Sequence, residues 1–271
     1  MKDMADTVIP PQPRDYAGFN WRGFRTLYLK EIRRFWKVGT QTVAAPVVTT
    51  LLYMMVFVVA VGASRPAMEG VSFATFVAPG LIMMGVLNNA FANSSSSLLQ
   101  AKMMGLTSDF LTPPLSPLEQ VLAFTLGAAT RGVLVGAVTA LAVLPFANVT
   151  LVHPFWAVYF CIGAALILGM VGILTGLWSE KFDHLAAVTN FLIMPMTFLS
   201  GTFYLVERLP EPFRTISHYN PFFYLIDGFR YGFIGVSDGS IAIGAILTAV
   251  LTVGLFFLCL RLFQRGWRLK S

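Results

Sequence analysis

Arg131 is the one clear charge deep inside an apolar run, flanked by Thr130 and Gly132. A guanidinium at the centre of a bilayer costs about 2.5 kcal/mol or more, so its side chain must face protein, a polar cavity or a lipid head group. Two roles fit: a contact for an anionic substrate, or a structural partner of Asn88, Asn89 or Asn190. The nearby row Ser94–Ser97 offers hydroxyls that could line a polar path, although on a helix they bond by default to the carbonyl one turn earlier. Asp227 and Arg230 stand at i,i+3 spacing, which suits an ion pair on a helix. Glu180-Lys-Phe-Asp-His184 has the residue types of an acid–base cluster but falls in a short turn between apolar runs, where it reads as a solvated loop. His153, His184 and His218 lie in three loops on two sides of the apolar runs, so they do not make one metal site. Cys161 and Cys259 sit inside apolar runs as small hydrophobes. The phosphate-binding pattern Gly-x-x-x-x-Gly-Lys-Ser/Thr does not occur, and no nucleophile, base and acid gather on one side. The chemistry these residues suit is binding and transfer, not bond making.

The elements that must hold these groups follow from composition. The chain has 271 residues, 56% of them hydrophobic and only 12% charged, where a soluble domain has about a quarter charged. Six apolar runs, about 43–63, 73–99, 121–146, 155–178, 185–204 and 241–263, are each long enough to cross about 30 Å of hydrocarbon as helices. They are continuous and do not alternate, which excludes a β-barrel. The net charge of +6 does not form a groove-binding patch, because the basic residues sit at segment ends, and nucleic acid is excluded as a partner. With the N-terminus in the cytoplasm, fourteen of the nineteen Lys and Arg residues fall inside and four outside, Arg131 being the remaining one. That bias puts both termini in the cytoplasm. Residues 1–37 lack the apolar core of a cleavable signal, so the first span is expected to be retained.

The expected fold is all-α and polytopic, with a cytoplasmic segment 1–37 and a six-helix membrane domain 38–271. Within the first segment, Trp21, Phe24, Tyr28, Ile32 and Phe35 recur every three or four residues, opposite Arg22, Arg25, Arg33 and Lys37. This draws an amphipathic interfacial helix, aromatic face toward the membrane lipids, or else a cytoplasmic extension of the first membrane helix. In the loop between the second and third runs, Pro113 and Pro114 end an arriving helix, and Ser116 with Glu119 is a capping pattern that opens the next. Leu106, Phe110 and Leu111 on that loop need an apolar partner, either membrane surface or a groove on another protein. Between the last two runs, residues 202–240 hold Pro210, Pro212 and Pro221 among many aromatics, which reads as a re-entrant or interfacial pair of short helices, about Pro210–Ser217 and Pro221–Phe233. Gly132-x-x-x-Gly136 and Gly172-x-x-x-Gly176 allow close helix approach, within one chain in preference to a two-copy seam.

Phe198-Leu-Ser-Gly-Thr-Phe-Tyr204, Leu209-Pro210, Asn220-Pro221-Phe-Phe-Tyr224 and Asp227-Gly-Phe-Arg-Tyr-Gly232 together resemble the hallmark of ABC-2 type transporter permeases. So do Thr112-Pro-Pro-Leu-Ser116, Pro79-Gly-Leu-Ile-Met83 and the basic end Gln264-Arg-Gly266, and within the family the likeness is to the YadH-like bacterial permeases. The resemblance implies a non-catalytic export subunit of the bacterial inner membrane. Two copies of the permease would form the pathway above two copies of a separate ABC ATP-binding subunit, which would hold ATP and Mg; no cofactor is expected in this chain. It also implies that the segment around Met103, Leu106, Asp109, Phe110 and Leu111 is the coupling helix that docks on the ATPase. The family loop often carries several charges, whereas Met103–Asp109 has little beyond Lys102 and Asp109, so apolar contact is expected to dominate. The other sites expected to matter are Arg131 with Asn88 and Asn89, and the outer hairpin at Pro210, Asn220, Pro221, Asp227 and Arg230. The alternative function is an ATP-independent secondary transporter or channel, which would more typically show duplicated halves and ionisable residues in several spans.

Overall fold

The computed structural model describes residues 18–57, 70–147 and 150–268, and these are helical apart from turns and short loops. Four helices are long and apolar enough to cross a membrane: α3 (Phe73–Met103), α5 (Pro117–Val143), α6 (Pro154–Trp178) and α11 (Ile241–Gln264). A fifth counts if α1 (Trp21–Lys37) and the stretch Thr40–Val56, which meet at 78°, are taken as one bent span. Thr40–Val56 is a π-helical turn, Thr40–Ala44, continued by α2 (Ala45–Val56). The end of the first predicted run, 58–63, lies outside the described residues, as do residues 1–17 and Arg65.

The run expected over 185–204 is helical for only part of its length. It consists of α7 (Phe182–Val188), a π-helical turn Thr189–Ile193 and α8 (Met194–Phe198). The chain then leaves the helix at Leu199, takes φ +69° at Gly201, and lays Thr202 against α3, where a Cβ on Gly80 would come within 2.9 Å of the Thr202 carbonyl oxygen. A helix through 204 would forfeit that contact. Both π-helical turns end two residues before a proline, Pro46 and Pro195. A proline lacks the N–H for the carbonyl four residues back, and its ring collides with that carbonyl; widening the preceding turn relieves both.

α3 is the hub. Within its most apolar 18-residue stretch 83% is buried, against 11% for α11, which runs along the outside. Both small-residue pairs pack against α3 within the chain: a Cβ on Gly132 would lie 3.0 Å from the Val86 oxygen, and one on Gly176 would lie 2.9 Å from the Ser95 oxygen. The tightest is Gly172, whose Cβ would meet Ser94 Oγ and the Phe91 oxygen, the latter at 2.5 Å. Gly172→Val is therefore expected to destabilise the fold by about 1–3 kcal/mol or more through overpacking. Gly254→Val, at a position with nothing within 4 Å, should leave it unchanged. Thermal unfolding of the two variants in detergent checks this; equal midpoints would contradict the packing of α6 on α3.

At the other end of the bundle from the α3–α5 turn, α9 (Phe213–Tyr219) and α10 (Pro221–Ile234) form the expected pair of short helices. Asn220 caps α10: its Oδ1 accepts the Phe222 N–H at 3.0 Å, and Pro221 occupies the first helical position.

Candidate functional site

Three groups of predicted residues are brought together in three places. The first is the face made by the α3–α5 loop and α1. α3 runs on to Met103, and the predicted short helix is the single turn α4 (Ser108–Leu111). The segment does not present all its apolar residues to solvent. Phe110 is 1% exposed and meets Phe124 edge-on at 5.5 Å, in a cluster with Leu27 and Phe263. Met104 at 61% and Leu106 at 43% face out, with Met103, Leu111 and Asp109 also exposed. Phe110 is thus the anchor, and the others are the surface it holds in place.

The loop is fastened on three sides. Gln120 donates to the Phe110 carbonyl at 3.0 Å. The capping box forms as read: the Ser116 N–H donates to Glu119 Oε2 at 2.8 Å, and the Glu119 N–H donates to Ser116 Oγ at 3.4 Å. The other oxygen of Glu119 accepts the Asn20 N–H at 2.5 Å, while Asn20 Oδ1 caps α1 by accepting the Gly23 N–H at 3.0 Å, so one buried carboxylate ties the starts of α1 and α5 together. Lys102 is not free for a partner: its ammonium donates to the carbonyls of Leu177 at 2.6 Å and Ser179 at 2.7 Å, neutralising the negative end of α6.

α1 departs from the expected orientation. Leu27, Glu31 and Phe35 turn inward against α5 and α3, whereas Trp21 and Trp36 are exposed. Tyr28 and Thr130 share a hydroxyl hydrogen bond of 2.9 Å. The stripe therefore packs in part against protein, through Phe35 and its neighbours Leu27 and Glu31. Glu31, 0% exposed, is the residue that sequence reasoning missed. Its carboxylate accepts from Ser97 Oγ at 2.7 Å and pairs with Arg34 at 3.4 Å, and Arg34 in turn donates to the Asn93 side chain at 3.0 Å and to Ser96 Oγ at 3.1 Å. Glu31 lies on the same helical stripe as Phe24, Tyr28 and Phe35, an acid where only apolar residues belonged, and that was the available signal.

The second place is a cavity of about 580 Å³ bounded by α2, α3 and α5, whose lining includes Arg34, Asn88, Asn89, Ser96 and Arg131. Arg131 donates from Nε at 3.3 Å and from Nη2 at 3.1 Å to the single oxygen Asn89 Oδ1. Asn89 Nδ2 donates to the Gly85 carbonyl at 3.0 Å, which keeps the amide turned that way, and Asn88 bonds back to Met84. Of the serine row, Ser95 and Ser96 bond one turn back, and Ser94 crosses to the Gly169 carbonyl at 2.6 Å.

The third is the α8–α10 end. Arg230, 1% exposed, donates to the Gly201 carbonyl at 2.6 Å, stacks 4.1 Å over the Phe76 ring and lies 3.8 Å from Asp227. Asp227 also accepts from Ser237 Oγ at 2.7 Å and from the backbone N–H groups of Asp238 at 2.8 Å and Gly239 at 3.0 Å. Asp238 reaches back to accept the Val206 N–H, and burial pushes its carboxyl above the ordinary value while that hydrogen bond pulls it down. Asn220 Nδ2 joins α8 by donating to the Met196 carbonyl at 2.6 Å. Pro210 closes a turn by accepting from the Phe213 N–H at 3.0 Å.

The α8–α10 end holds most of the motifs that carried the family resemblance. Residues 22–234 match the ABC-2 type transporter family profile. The chain belongs to the ABC-2 type transporter family. This ABC-2 chain is 34% identical over 255 residues to the inner membrane transport permease YadH of Escherichia coli strain K12, which covers 93% of the chain and 98% of that protein. It is 25% identical over 213 residues to nodulation protein J of Sinorhizobium fredii, 75% of the chain and 78% of that relative. The match takes in α1 from Arg22 onward, the Arg131 cavity and α10 to its end at Ile234, while Asn20, Ser237–Gly239 and Phe263 lie outside it.

Proposed function

We propose that this chain is the membrane subunit of an ATP-driven exporter of the bacterial inner membrane, working as two copies above two copies of a separate ATP-binding subunit. Six crossings would be made by Thr40–Val56, the four long helices, and the stretch Phe182–Phe198. The basic bias toward the α3–α5 end supports a cytoplasmic position for α1 and α4. ATP and Mg would be held by the partner, and this chain would supply the path and the lever.

The observation that carries this reading is the α4 surface: exposed Met104 and Leu106 on a loop that Phe110, Glu119 and Lys102 fix to α5, α1 and α6. Exposed apolar side chains on a mobile loop would waste contact energy in ordering, whereas here the loop is preorganised and a push on it reaches three helices at once. ATP binding by the partner would bias inward and outward states through its differential affinity for them. Co-purification from membranes with a stand-alone ABC ATP-binding subunit of the same cell tests the pairing. The native chain is expected to retain the subunit, and the double variant Met104→Asp, Leu106→Asp is expected to lose it; retention of the subunit by that variant would overturn this docking surface.

A further inference from the structure

The cavity beside Arg131 holds a charge imbalance. Two other arginines that reach the interior of the bundle have carboxylate partners, Arg34 with Glu31 and Arg230 with Asp227. Among the described residues Arg131 has none, and no carboxylate lines the cavity. Two of its donors converge on one amide oxygen, which orients the guanidinium but leaves Nη1 without a protein hydrogen bond there. A guanidinium in an apolar bundle is stabilised by an anion, and its planar fork suits an oxyanion. The walls are also two-sided: Gln41, Asn88 and Ser96 are polar, and Tyr53, Leu81 and Met194 are mostly apolar. About 580 Å³ is enough for a head group and the start of its chains, not for a whole lipid.

We propose that this cavity receives the anionic head group, phosphate or carboxylate, of an amphiphile, with Arg131 as the residue that meets the charge. The assignment deepens the transport reading and rests on it for its biological meaning, but binding is a property of this chain alone. Asn89 is a positioning residue, fixing the guanidinium so that its free edge faces the polar walls. Arg34, already paired with Glu31, adds little net charge and steadies the polar end.

The test is equilibrium binding to the purified chain in neutral detergent, without any ATP-binding subunit. The probes are a fluorescently tailed phosphatidic acid, a diacylglycerol of the same tail, and inorganic phosphate. Phosphatidic acid is expected to bind saturably and Arg131→Gln to weaken it by about tenfold or more, the size of a lost charge-assisted hydrogen bond. Arg131→Lys should retain most of the affinity. If Arg131→Gln does not fold, Asn88→Asp serves instead: a carboxylate in the cavity should pair with Arg131 and weaken binding by a similar factor. The proposal is overturned if neither Arg131→Gln nor Asn88→Asp changes the affinity, or if diacylglycerol binds as tightly as phosphatidic acid. Displacement of phosphatidic acid by inorganic phosphate alone would overturn the amphiphile assignment in favour of a free-anion site. Because no ATPase is present, failure here leaves the coupling reading standing, and loss of ATPase pairing leaves this result standing.

Discussion

Asp227→Ala is expected to destabilise the chain by about 3–5 kcal/mol, the range for removing one partner of a buried ion pair. The reason lies with what remains. Arg230 would keep the Gly201 carbonyl and the Phe76 ring but no carboxylate at its own position, and three donors around Ser237–Gly239 would lose their acceptor. Arg230→Met should cost less, because Asp227 retains those three donors and a methionine can pack on Phe76. The double variant is expected to cost less than the sum of the two, the signature of coupled residues. Unfolding midpoints of the four proteins in one detergent give the cycle directly. Strict additivity would mean that the pair, at 3.8 Å, contributes nothing.

Glu31→Ala is the second large effect, expected at about 2–4 kcal/mol because Ser97, Asn93 and Arg34 lose their shared acceptor in a buried place. Arg34 is partly exposed, and water there keeps the cost below that at Asp227. Glu31→Gln keeps an acceptor for Ser97 and should cost about 1 kcal/mol. Both variants should loosen α1 from α3 and α5 before the rest of the fold, so hydrogen exchange should rise first across Trp21–Lys37. Uniform exchange across all helices would contradict the view that this network holds α1.

Much of this was legible in the residues, for reasons that can be named. Ser116 with Glu119 and Asn220 with Pro221 are local cap patterns, and local hydrogen bonding is enough to form them. The small-residue pairs were legible as close approaches because a helix needs them wherever it meets another, and α3 is what they meet. Arg131 could be seen as needing a partner, but the choice of Asn89 depends on how α5 seats on α3, a tertiary fact. Phe110 and Leu106 are alike on paper; a loop has no periodicity to say which turns inward, and the Phe124 ring decides it. The two π-helical turns were not read, although Pro46 and Pro195 were the signal: each proline requires its preceding turn to open. The run to Tyr204 is apolar enough to continue as helix, yet contact with Gly80 draws the chain away at Leu199.

In the proposed function, force from a separate ATPase enters through the α4 surface. The most direct test is ATP hydrolysis by vesicles reconstituted with this chain and the stand-alone ATP-binding subunit. The native pair is expected to hydrolyse ATP faster than the subunit alone. With Met104→Asp, Leu106→Asp the rate should fall back to that of the subunit alone, while Gly254→Val leaves it unchanged. Full stimulation by the doubly charged variant would contradict the account.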